Sequence, residues 1–289
     1  MTKRVLITGI SSFTAPYIVQ ELTLNGYEVY GLGQNNTHPS QGAIALSGDL
    51  LDPSSLESVV NQCKPHMVIH LAAITYVPHG DVAEIYQTNV VGTRNVLSAL
   101  AGCSPSPERI LLASSANVYG NAVAGLLDER TAFAPENDYA VSKVAMEYMS
   151  RVWSSRLPIS IVRPFNYTGV GQSSKFLIPK IVTHFQMRKA EIELGNTDVT
   201  RDFSDVRFIA RAYKQLIEKA EPNETYNLCS GSGYSLDSIV EYMNEIAGYR
   251  ITVKVNPDFV RANEVKKLVG DNRKLVGLCP LLEVLPIRD

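Results

Sequence analysis

Short apolar runs alternate with longer amphipathic segments through the first half of the chain. The apolar runs cover residues 5–8, 28–32, 43–47, 67–72, 109–114 and 159–163, and helical periodicity covers 16–25, 54–63, 82–100 and 139–155. Strands that alternate with helices in this way are typical of a parallel sheet whose strands are joined by crossover helices. The pattern therefore predicts an α/β fold built on a doubly wound parallel sheet.

The alternation becomes irregular after residue 164. Helical periodicity returns at 178–189, 208–220 and 234–247, with extended segments at 225–229 and 251–255. A chain of 289 residues is long enough for one large domain and a smaller appended lobe. We expect the first domain over 1–164, with 203–229 returning to it, and a smaller C-terminal α/β lobe built from 165–202 and 230–289.

Composition and charge argue against several classes of partner. The formal net charge is −2, from 27 basic and 29 acidic residues, without a basic block. This balance does not favour a nucleic-acid backbone or an anionic membrane. The first apolar run begins at Val5, which leaves no room for a signal segment, and no run reaches membrane-spanning length. We expect a cytoplasmic protein with no nucleic-acid or membrane partner.

The cysteines and histidines do not form ligand motifs. The four cysteines contain no C-x-x-C pair, and the five histidines share no ligand spacing. A metal site is therefore not expected, and the cysteines are predicted to be small, buried and reduced side chains. They are Cys63, Cys103, Cys229 and Cys279.

A tyrosine and a lysine four residues apart carry the strongest chemical signal. Tyr139 and Lys143 project from one face of the predicted helix, and Ser115 precedes the tyrosine by 24 residues. A neighbouring ammonium favours the phenolate, so we expect Lys143 to lower the pKa of Tyr139 towards neutrality. Such a phenol can exchange a proton with a sugar or alcohol oxygen, to which Ser115 would also supply a hydroxyl.

The turn after the first strand is suited to the phosphates of a dinucleotide. Gly9 permits a tight turn, and the N-terminus of the following helix favours a phosphate. Ser12 and Ala15 stand where a glycine-rich fingerprint has glycines, so the loop alone is equally consistent with an ordinary strand-to-helix turn. Together with Ser11 and Phe13, these positions predict the cofactor loop of a Rossmann-type domain.

The end of the second strand bears on the choice of cofactor. An acidic residue here commonly binds the ribose of NAD, but this chain has Gln34 and Asn35, and no arginine for a 2′-phosphate. Amides and backbone donors would have to bind that phosphate, which favours NADPH, or use of both cofactors, over tightly held NAD. Asp49 and Leu50 are expected to flank the adenine, although Asp49 is also a common turn residue.

Short motifs follow one another along the chain in a characteristic order. They are Thr8-Gly9, Gly48-Asp49-Leu50, His70-Leu71-Ala72-Ala73, Asn89-Val90-Val91-Gly92-Thr93, Ser114 to Gly120, Tyr139 to Lys143, Arg163-Pro164-Phe165-Asn166, Arg201 to Arg207 and Arg261 to Val265. In this order they resemble the extended short-chain dehydrogenase/reductase family that acts on nucleotide sugars, the NAD-dependent epimerase/dehydratase family. The last two motifs look like the branch of that family that contains GDP-4-keto-6-deoxymannose reductases and their dehydratase relatives.

The resemblance implies a role for each matching residue. Tyr139 would be the catalytic acid/base, Lys143 would assist it and hold the nicotinamide ribose, and Ser115 would hydrogen-bond the reacting oxygen. Arg201 and Arg261 would bind the substrate diphosphate, with surface ion pairing as the alternative role. Further cofactor contacts are implied for Leu71, Ala72, Ala73, Asn89, Pro164 and Phe165, and further substrate contacts for Thr75, His79, Asn166, Lys180 and, on a nucleotide ribose, Glu264.

Three reactions compete within such a family: 4,6-dehydration, 4-epimerisation and reduction of a 4-keto sugar. Dehydration needs a carboxyl group beside the serine, and Ala116-Asn117 offers none. A reductase must exchange its cofactor at each turnover, whereas an epimerase benefits from retaining it. A cofactor site without a ribose-binding acid therefore fits a reductase better. We therefore predict an NAD(P)H-dependent reductase of a nucleotide-linked 4-keto-6-deoxyhexose. A 4-epimerase is the alternative, and a non-catalytic dinucleotide sensor is the second alternative.

The resemblance also implies a homodimer. The predicted helices over 82–100 and 139–155 have wide apolar faces, and the equivalent pair forms a four-helix interface in this family. Packing on the sheet alone would explain the same faces. The C-terminal segment is shorter than the family pattern, so we expect a reduced substrate lobe.

Overall fold

A seven-stranded parallel sheet forms the centre of what the computed structural model describes, namely residues 2–34, 41–75, 81–121, 125–260 and 264–287. The strands are β1 (Arg4–Thr8), β2 (Glu28–Gly33), β3 (Ala43–Ser47), β4 (Met67–His70), β5 (Arg109–Ala113), β6 (Ile159–Pro164), β7 (Asn166–Thr168), β8 (Glu191–Leu194), β9 (Thr200–Asp205), β10 (Thr225–Leu228), β11 (Gly233–Ser235), β12 (Thr252–Val255) and β13 (Lys267–Leu268). The helices are α1 (Ala15–Leu24), α2 (Pro53–Cys63), α3 (Val82–Tyr86), α4 (Thr93–Ala101), α5 (Asp138–Arg151), α6 (Leu177–Gln186), α7 (Val206–Lys219), α8 (Leu236–Ala247) and α9 (Arg273–Leu278).

The order of strands in the central sheet places a ligand crevice beside β1. The order is β10-β6-β5-β4-β1-β2-β3, with every neighbouring pair parallel. The chain builds outwards to β3 and then returns to the other side of β1, so the winding reverses between β1 and β4. Ligands of such sheets bind at the carboxyl ends of the strands beside this reversal. Thr8 and His70 end these two strands, so they lie at the crevice.

Two apolar cores cover the two faces of the sheet and confirm the predicted fold class. Val5 and Ile7 pack in a core with α1, α7 and α9, whereas Leu6 packs in a core with α2, α4 and α5. Successive residues of a strand point to opposite faces, so a strand covered on both faces is apolar throughout. This is why the central strands were visible in the sequence as continuous apolar runs.

Smaller sheets and a third core lie in the second half of the chain. Strand β9 pairs with β7, β11 and β13, and β8 pairs with β12. The third core contains Ile181 and Phe185 of α6 and Leu236 of α8. Strand β10 instead joins the central sheet, while β9 crosses the predicted boundary at residue 203. The exact bounds of the two lobes stay a prediction.

The helix predicted over 82–100 contains a local irregularity. A π-helical segment, Gln87–Gly92, separates α3 from α4. Such segments are rare and occur frequently at functional sites.

All four cysteines are free and buried, as predicted. Across the described ranges, no helix combines the length and apolar character needed to cross a bilayer.

Candidate active site

Helix α5 brings the predicted catalytic tyrosine and lysine to the end of strand β5. The side chain of Asn137 accepts a hydrogen bond from the backbone N–H of Ala140 (2.9 Å) and thereby caps the helix. Tyr139 and Lys143 lie one turn apart and are 7% and 3% exposed. The hydroxyl of Ser115 lies near the phenol of Tyr139 and acts to lower its pKa. The structure therefore brings all three predicted catalytic residues to one place.

Lys143 is held by the backbone of the strand. Its Nζ donates a hydrogen bond to the carbonyl oxygen of Ala113, the last residue of β5, at 2.8 Å. Burial lowers the pKa of Lys143 to about 8, and the carboxylate of Glu147 opposes this shift. The amine is thus fixed in position and titrates close to neutral pH.

The pKa of Tyr139 differs from the prediction. Burial raises it to about 12, the neighbouring Ser115 hydroxyl lowers it in part, and Tyr167 raises it. Lys143 is not among the groups that act on the phenol, so the prediction that Lys143 lowers this pKa towards neutrality is wrong. The reason is that removal from water disfavours the phenolate more strongly than the neighbouring donor favours it. At neutral pH the phenol is therefore protonated and able to donate.

A buried ion pair lies one further turn along α5. Glu147 and Arg163 are 2% and 3% exposed, and Arg163 binds both carboxylate oxygens, through Nε to Oε1 (2.9 Å) and Nη2 to Oε2 (2.6 Å). Ser114 donates to the same Oε1 at 2.5 Å. Nη1 of Arg163 donates to the hydroxyl of Tyr119 (2.8 Å), which donates to Oδ1 of Asn227 (2.7 Å). Both charges are thus matched within one hydrogen-bonded network.

A chain of hydrogen bonds links the ends of β1 and β4 to the π-helical segment. Thr93 Oγ1 donates to the carbonyl of Asn89 (2.8 Å), so it accepts from Nε2 of His70 (2.9 Å). Nδ1 of His70 then accepts from the hydroxyl of Thr8 (2.6 Å), which in turn accepts from the backbone N–H of Ala72 (3.3 Å). This direction requires a neutral imidazole with its proton on Nε2.

Asn89 was predicted to contact the cofactor, and the structure places it between the loop after β4 and helix α5. Asn89 is fully buried; its Oδ1 accepts from the N–H of Ile74 (2.8 Å), and its Nδ2 donates to the carbonyl of Ile74 (3.0 Å) and to Ser142 Oγ (3.0 Å). Ser142 donates to the carbonyl of Tyr139 at 2.7 Å. Asn89 thereby joins the loop after β4 to helix α5.

The loop after β1 has the shape and the donor that a diphosphate requires. Gly9 has a φ of +74°, and a Cβ at this position would lie 2.7 Å from the backbone nitrogen of Ala72. The N–H of Ser12 donates to the carbonyl of Gly9 (2.9 Å), which closes a tight turn before α1. The hydroxyl of Ser12 is buried and has no hydrogen-bond partner within the described part of the chain. A phosphate oxygen at this helix N-terminus would satisfy it.

Aromatic rings connect this loop to the second half of the chain. Phe13 stacks on Tyr167 with ring centroids 6.2 Å apart and meets Tyr17 edge-on at 5.9 Å. The hydroxyl of Tyr167 is hydrogen-bonded to Thr14 Oγ1 at 2.7 Å. Because Tyr167 also raises the pKa of Tyr139, the loop, β7 and α5 meet at one site.

The other predicted cofactor residues lie at the carboxyl edge of the central sheet or in the loop after β1. Phe165 follows β6, is 4% exposed and packs against Tyr119 with ring centroids 6.1 Å apart. The carbonyl of Leu50 accepts from Nδ2 of Asn95 at 3.0 Å. Ser11 is exposed in its loop, Gln34, Asp49, Leu71, Ala72 and Ala73 follow β2, β3 and β4, Pro164 ends β6, and Asn35 lies outside the described residues.

The predicted substrate residues Arg201 and Glu264 bind each other. Nη2 of Arg201 and Oε1 of Glu264 are 2.5 Å apart, and the two side chains are 12% and 17% exposed. This agrees with the alternative of ion pairing for Arg201, although the pair is largely buried rather than on the surface. Lys180 donates to the carbonyl of Glu193 (2.7 Å) and lies 4.4 Å from the ring centroid of Phe259.

Asn166 is the predicted substrate residue whose polar group is left available. Its Nδ2 is buried and has no hydrogen-bond partner in the ranges that the structure describes. Thr75 is exposed in the loop after β4. His79 and Arg261 lie outside the described residues. The roles of all four stay predictions.

Comparison with known proteins agrees with this arrangement. A family model described as GDP-mannose 4,6 dehydratase matches residues 6–277. The chain belongs to this family. A GDP-6-deoxy-D-talose 4-dehydrogenase of Aggregatibacter actinomycetemcomitans is 34% identical over 276 residues, which cover 95% of this chain and 90% of that protein. A GDP-6-deoxy-D-mannose reductase of Pseudomonas aeruginosa is 32% identical over 286 residues, with the same coverage of 95% and 90%.

Solved structures with a similar fold match nearly the whole chain. A Burkholderia cenocepacia J2315 protein, provisionally described as an epimerase, is 46% identical with a TM-score of 0.93, over 99% of this chain and 94% of that one. Pseudomonas aeruginosa RMD in complex with NADPH is 30% identical with a TM-score of 0.83, over 99% and 96%. The family predicted from the sequence is therefore confirmed.

The polar groups around the three predicted catalytic residues were not foreseen from the sequence. It assigned no role to Glu147, although this residue stands four positions after Lys143 and so shares its helix face. It also assigned none to Arg163, a charged residue at the end of an apolar strand, or to His70. A charge within an otherwise buried pattern is a signal of a buried partner, because an unpaired charge would be too costly there.

Because His70 is buried, the free energy of unfolding of this protein should decrease as the pH falls. Burial, and secondarily the charge of Lys143, lower the pKa of His70 to about 3. The unfolded chain therefore binds this proton from about pH 6.5 downwards while the folded chain does not, so stability should fall as pH decreases, by up to about 1.4 kcal/mol per pH unit. Urea unfolding between pH 8 and 4 measures this slope. His70→Gln should be less stable at pH 8 but should lose less on acidification.

The matched control is His184→Gln, at a histidine whose Nδ1 lies 2.8 Å from the carbonyl of Lys180 on helix α6. It should keep the wild-type slope. Parallel pH curves for His70→Gln and the wild type would show that His70 does not carry the effect.

Proposed function

We propose that this protein is an NAD(P)H-dependent reductase of a nucleotide-linked 4-keto-6-deoxyhexose similar to GDP-4-keto-6-deoxymannose. The observation that carries the proposal is the buried phenol of Tyr139, which lies beside Ser115 and has its pKa raised to about 12. A protonated phenol is the form that a ketone reduction needs at its start, because the carbonyl oxygen must gain a proton as the carbon gains a hydride.

The named relatives support the substrate class. One relative acts at C4 of GDP-6-deoxy-D-talose, and the other is a GDP-6-deoxy-D-mannose reductase. These two sugars differ in configuration at C4, so a 4-keto sugar is the form that they have in common. Hydride addition to one face or the other of that ketone gives one sugar or the other.

The residues present fit a bound nicotinamide dinucleotide, which would supply the hydride. Gly9 keeps the loop open, the buried Ser12 hydroxyl lacks a partner, and Lys143 stands at the end of β5. RMD binds NADPH on a similar fold, which supports an NAD(P) cofactor here. Tyr139 would donate its proton to the sugar oxygen, Ser115 would stabilise that oxygen by a hydrogen bond, and Lys143 would hold the nicotinamide ribose.

A 4-epimerase is the second candidate, and the similarity to the provisionally described epimerase favours it. An epimerase must first remove the proton of the C4 hydroxyl, and for this step the phenolate is required. The cofactor site supports the reductase instead, because neither Gln34 nor Asn35 supplies the carboxylate that holds NAD tightly, and a reductase must release its cofactor at each turnover. The two activities differ in stoichiometry, because a reductase consumes one NADPH per sugar and an epimerase needs no added cofactor.

Two further activities are less well supported. Dehydration lacks the carboxyl group beside Ser115, because Ala116 and Asn117 follow it. A non-catalytic sensor would have no use for a serine, a tyrosine and a lysine converging on one site.

The first test is the removal of the phenolic hydroxyl. Tyr139→Phe should lower kcat by about a hundredfold to ten-thousandfold, because it removes the proton donor, and should leave the NADPH dissociation constant nearly unchanged. Lys143→Met should impair both quantities, because Lys143 would also bind the cofactor. Consumption of NADPH absorbance with a GDP-linked 4-keto-6-deoxy sugar measures turnover, and quenching of protein fluorescence measures binding. Near-normal turnover by Tyr139→Phe would refute the assignment.

The second test concerns the cofactor. NADPH should bind at least as tightly as NADH, because neither Gln34 nor Asn35 supplies the carboxylate that selects NAD. Ser12→Ala should weaken both cofactors alike, by about tenfold, because a hydrogen bond to the common diphosphate is lost. Titration by fluorescence measures both constants. A strong preference for NADH would overturn the reading of Gln34.

We propose in addition that the protein is a homodimer through the outer face of α5 and its neighbour α3. Large apolar side chains are exposed on and next to α5, namely Val141, Tyr148 and Val152, with Val82 on α3. Val152 is the most exposed of these four side chains, at 78%. Apolar exposure of this kind on adjacent helices is typical of an interface.

A charge in this face should separate the subunits. Val152→Glu should convert a dimer into a monomer, because the carboxylate would be buried without a partner. Leu24→Glu is the matched control, since Leu24 is 76% exposed on α1 and should leave the dimer intact. Sedimentation velocity measures the assembly. A monomeric wild type, or a dimer unaffected by Val152→Glu, would contradict the proposed interface.

A further inference from the structure

Stability does not explain the ion pair between Glu147 and Arg163. Both side chains are almost fully buried, and their salt-bridge atoms are 2.6 Å apart. Removing two charges from water costs about as much as their attraction returns, so a buried ion pair can often be replaced by apolar groups without loss of stability. The position of this pair within the site therefore points to another role.

The carboxylate of Glu147 is saturated by groups other than Lys143. Oε1 accepts from Ser114 (2.5 Å) and from Nε of Arg163 (2.9 Å), and Oε2 accepts from Nη2 of Arg163 (2.6 Å). Lys143 instead donates to the carbonyl of Ala113 at 2.8 Å. Glu147 thus acts on Lys143 through its charge, across one turn of helix α5 and within a buried region where such an interaction is weakly screened.

Three consecutive residues at the end of β5 fix this geometry. Ala113 accepts a hydrogen bond from the amine of Lys143, Ser114 donates one to the carboxylate of Glu147, and the next residue, Ser115, lies beside the phenol of Tyr139. Any movement of the carboxylate would therefore be transmitted to the strand that also positions the amine.

We propose that Glu147 is a positioning residue that keeps Lys143 in its ammonium form at the catalytic site, with Arg163 and Ser114 fixing the carboxylate for that purpose. The inference rests on the proposed function in one respect, namely that Lys143 serves the cofactor. The electrostatic part concerns the free protein alone.

The charged and titratable groups around Lys143 support this role. Glu147, from the same helix, is the group that raises the pKa of Lys143 against the effect of burial. His70, from β4, is kept neutral by burial, and Tyr139 is kept protonated. Arg163, from β6, binds the same carboxylate, and its positive charge offsets part of the effect of Glu147 on Lys143. With its pKa at about 8, Lys143 is mostly charged at pH 7, and loss of the Glu147 charge would lower that pKa further.

The test measures the pKa of Lys143 in the folded protein without any ligand. The unfolding free energy is compared between pH 6 and 10 for the wild type and Lys143→Met, and again for Glu147→Gln and the double variant with Lys143→Met. The difference within each pair isolates the titration of Lys143, because all other groups are common to both members. In the Glu147→Gln pair this titration should move to lower pH by on the order of one unit.

Tyr119→Phe is the matched control for a purely structural effect. It removes the hydrogen bonds that Tyr119 makes with Arg163 and Asn227 in the same network, but it removes no charge. It should lower the midpoint of thermal unfolding and leave the titration of Lys143 in place. If Glu147→Gln does not fold, Glu147→Gln with Arg163→Met removes both charges together and should shift the titration of Lys143 in the same direction but by less, because the guanidinium had opposed the carboxylate.

A titration of Lys143 that stays in place when Glu147 is neutralised would overturn the inference. The second readout is the pH profile of kcat with NADPH and the keto sugar, in which the alkaline limb should move by the same amount as the titration. A shifted titration without any turnover would leave the role of Glu147 standing and would count against the proposed function instead. Uniformly reduced turnover with an unmoved alkaline limb would mean that Glu147 supports the fold only.

Discussion

Docking of helix α5 against the end of strand β5 is the contact on which the site depends. Tyr139, Lys143 and Glu147 occupy successive turns of the helix and lie against Ser115, Ala113 and Ser114, respectively. A one-residue slip of α5 would displace all three side chains at once, because it turns each of them by about 100° around the helix axis. The sheet therefore sets the position of the chemistry.

Burial at this junction has opposite effects on neighbouring groups, and this divides their roles. Removal from water raises the pKa of Tyr139 and lowers those of Lys143 and His70, because each group is disfavoured in its charged form. For Lys143, the charge of Glu147 opposes the effect of burial and raises its pKa again in part. The site thus combines a protonated phenol, a neutral imidazole and an amine that titrates near neutrality, which is a suitable set for donating a proton and replacing it afterwards.

Much of the fold could be predicted from the sequence, because parallel strands covered on both faces are apolar throughout and stand out against amphipathic helices. The pairing of Tyr139 with Lys143 was likewise visible as a spacing of four. The pKa of Tyr139 was predicted in the wrong direction, since burial depends on tertiary packing that spacing does not reveal. The roles of Glu147, Arg163 and His70 were missed because each is satisfied by a residue distant in the chain. The direct ion pair between Arg201 and Glu264 joins positions 63 residues apart and was hidden for the same reason.

The packing beside Ser115 bears on which reaction this scaffold can perform. Ala116 and Val118 are 1% and 0% exposed and belong to an apolar cluster that includes Phe165 and Tyr119. A carboxylate in place of Ala116 would have to be buried among these side chains, at a cost of several kcal/mol unless a partner accompanied it. The family name refers to a dehydration, but fold does not determine reaction. Asn117, the next residue, is only partly buried but carries an amide instead of a carboxyl group, so neither position after Ser115 provides the second acid or base that a dehydration needs.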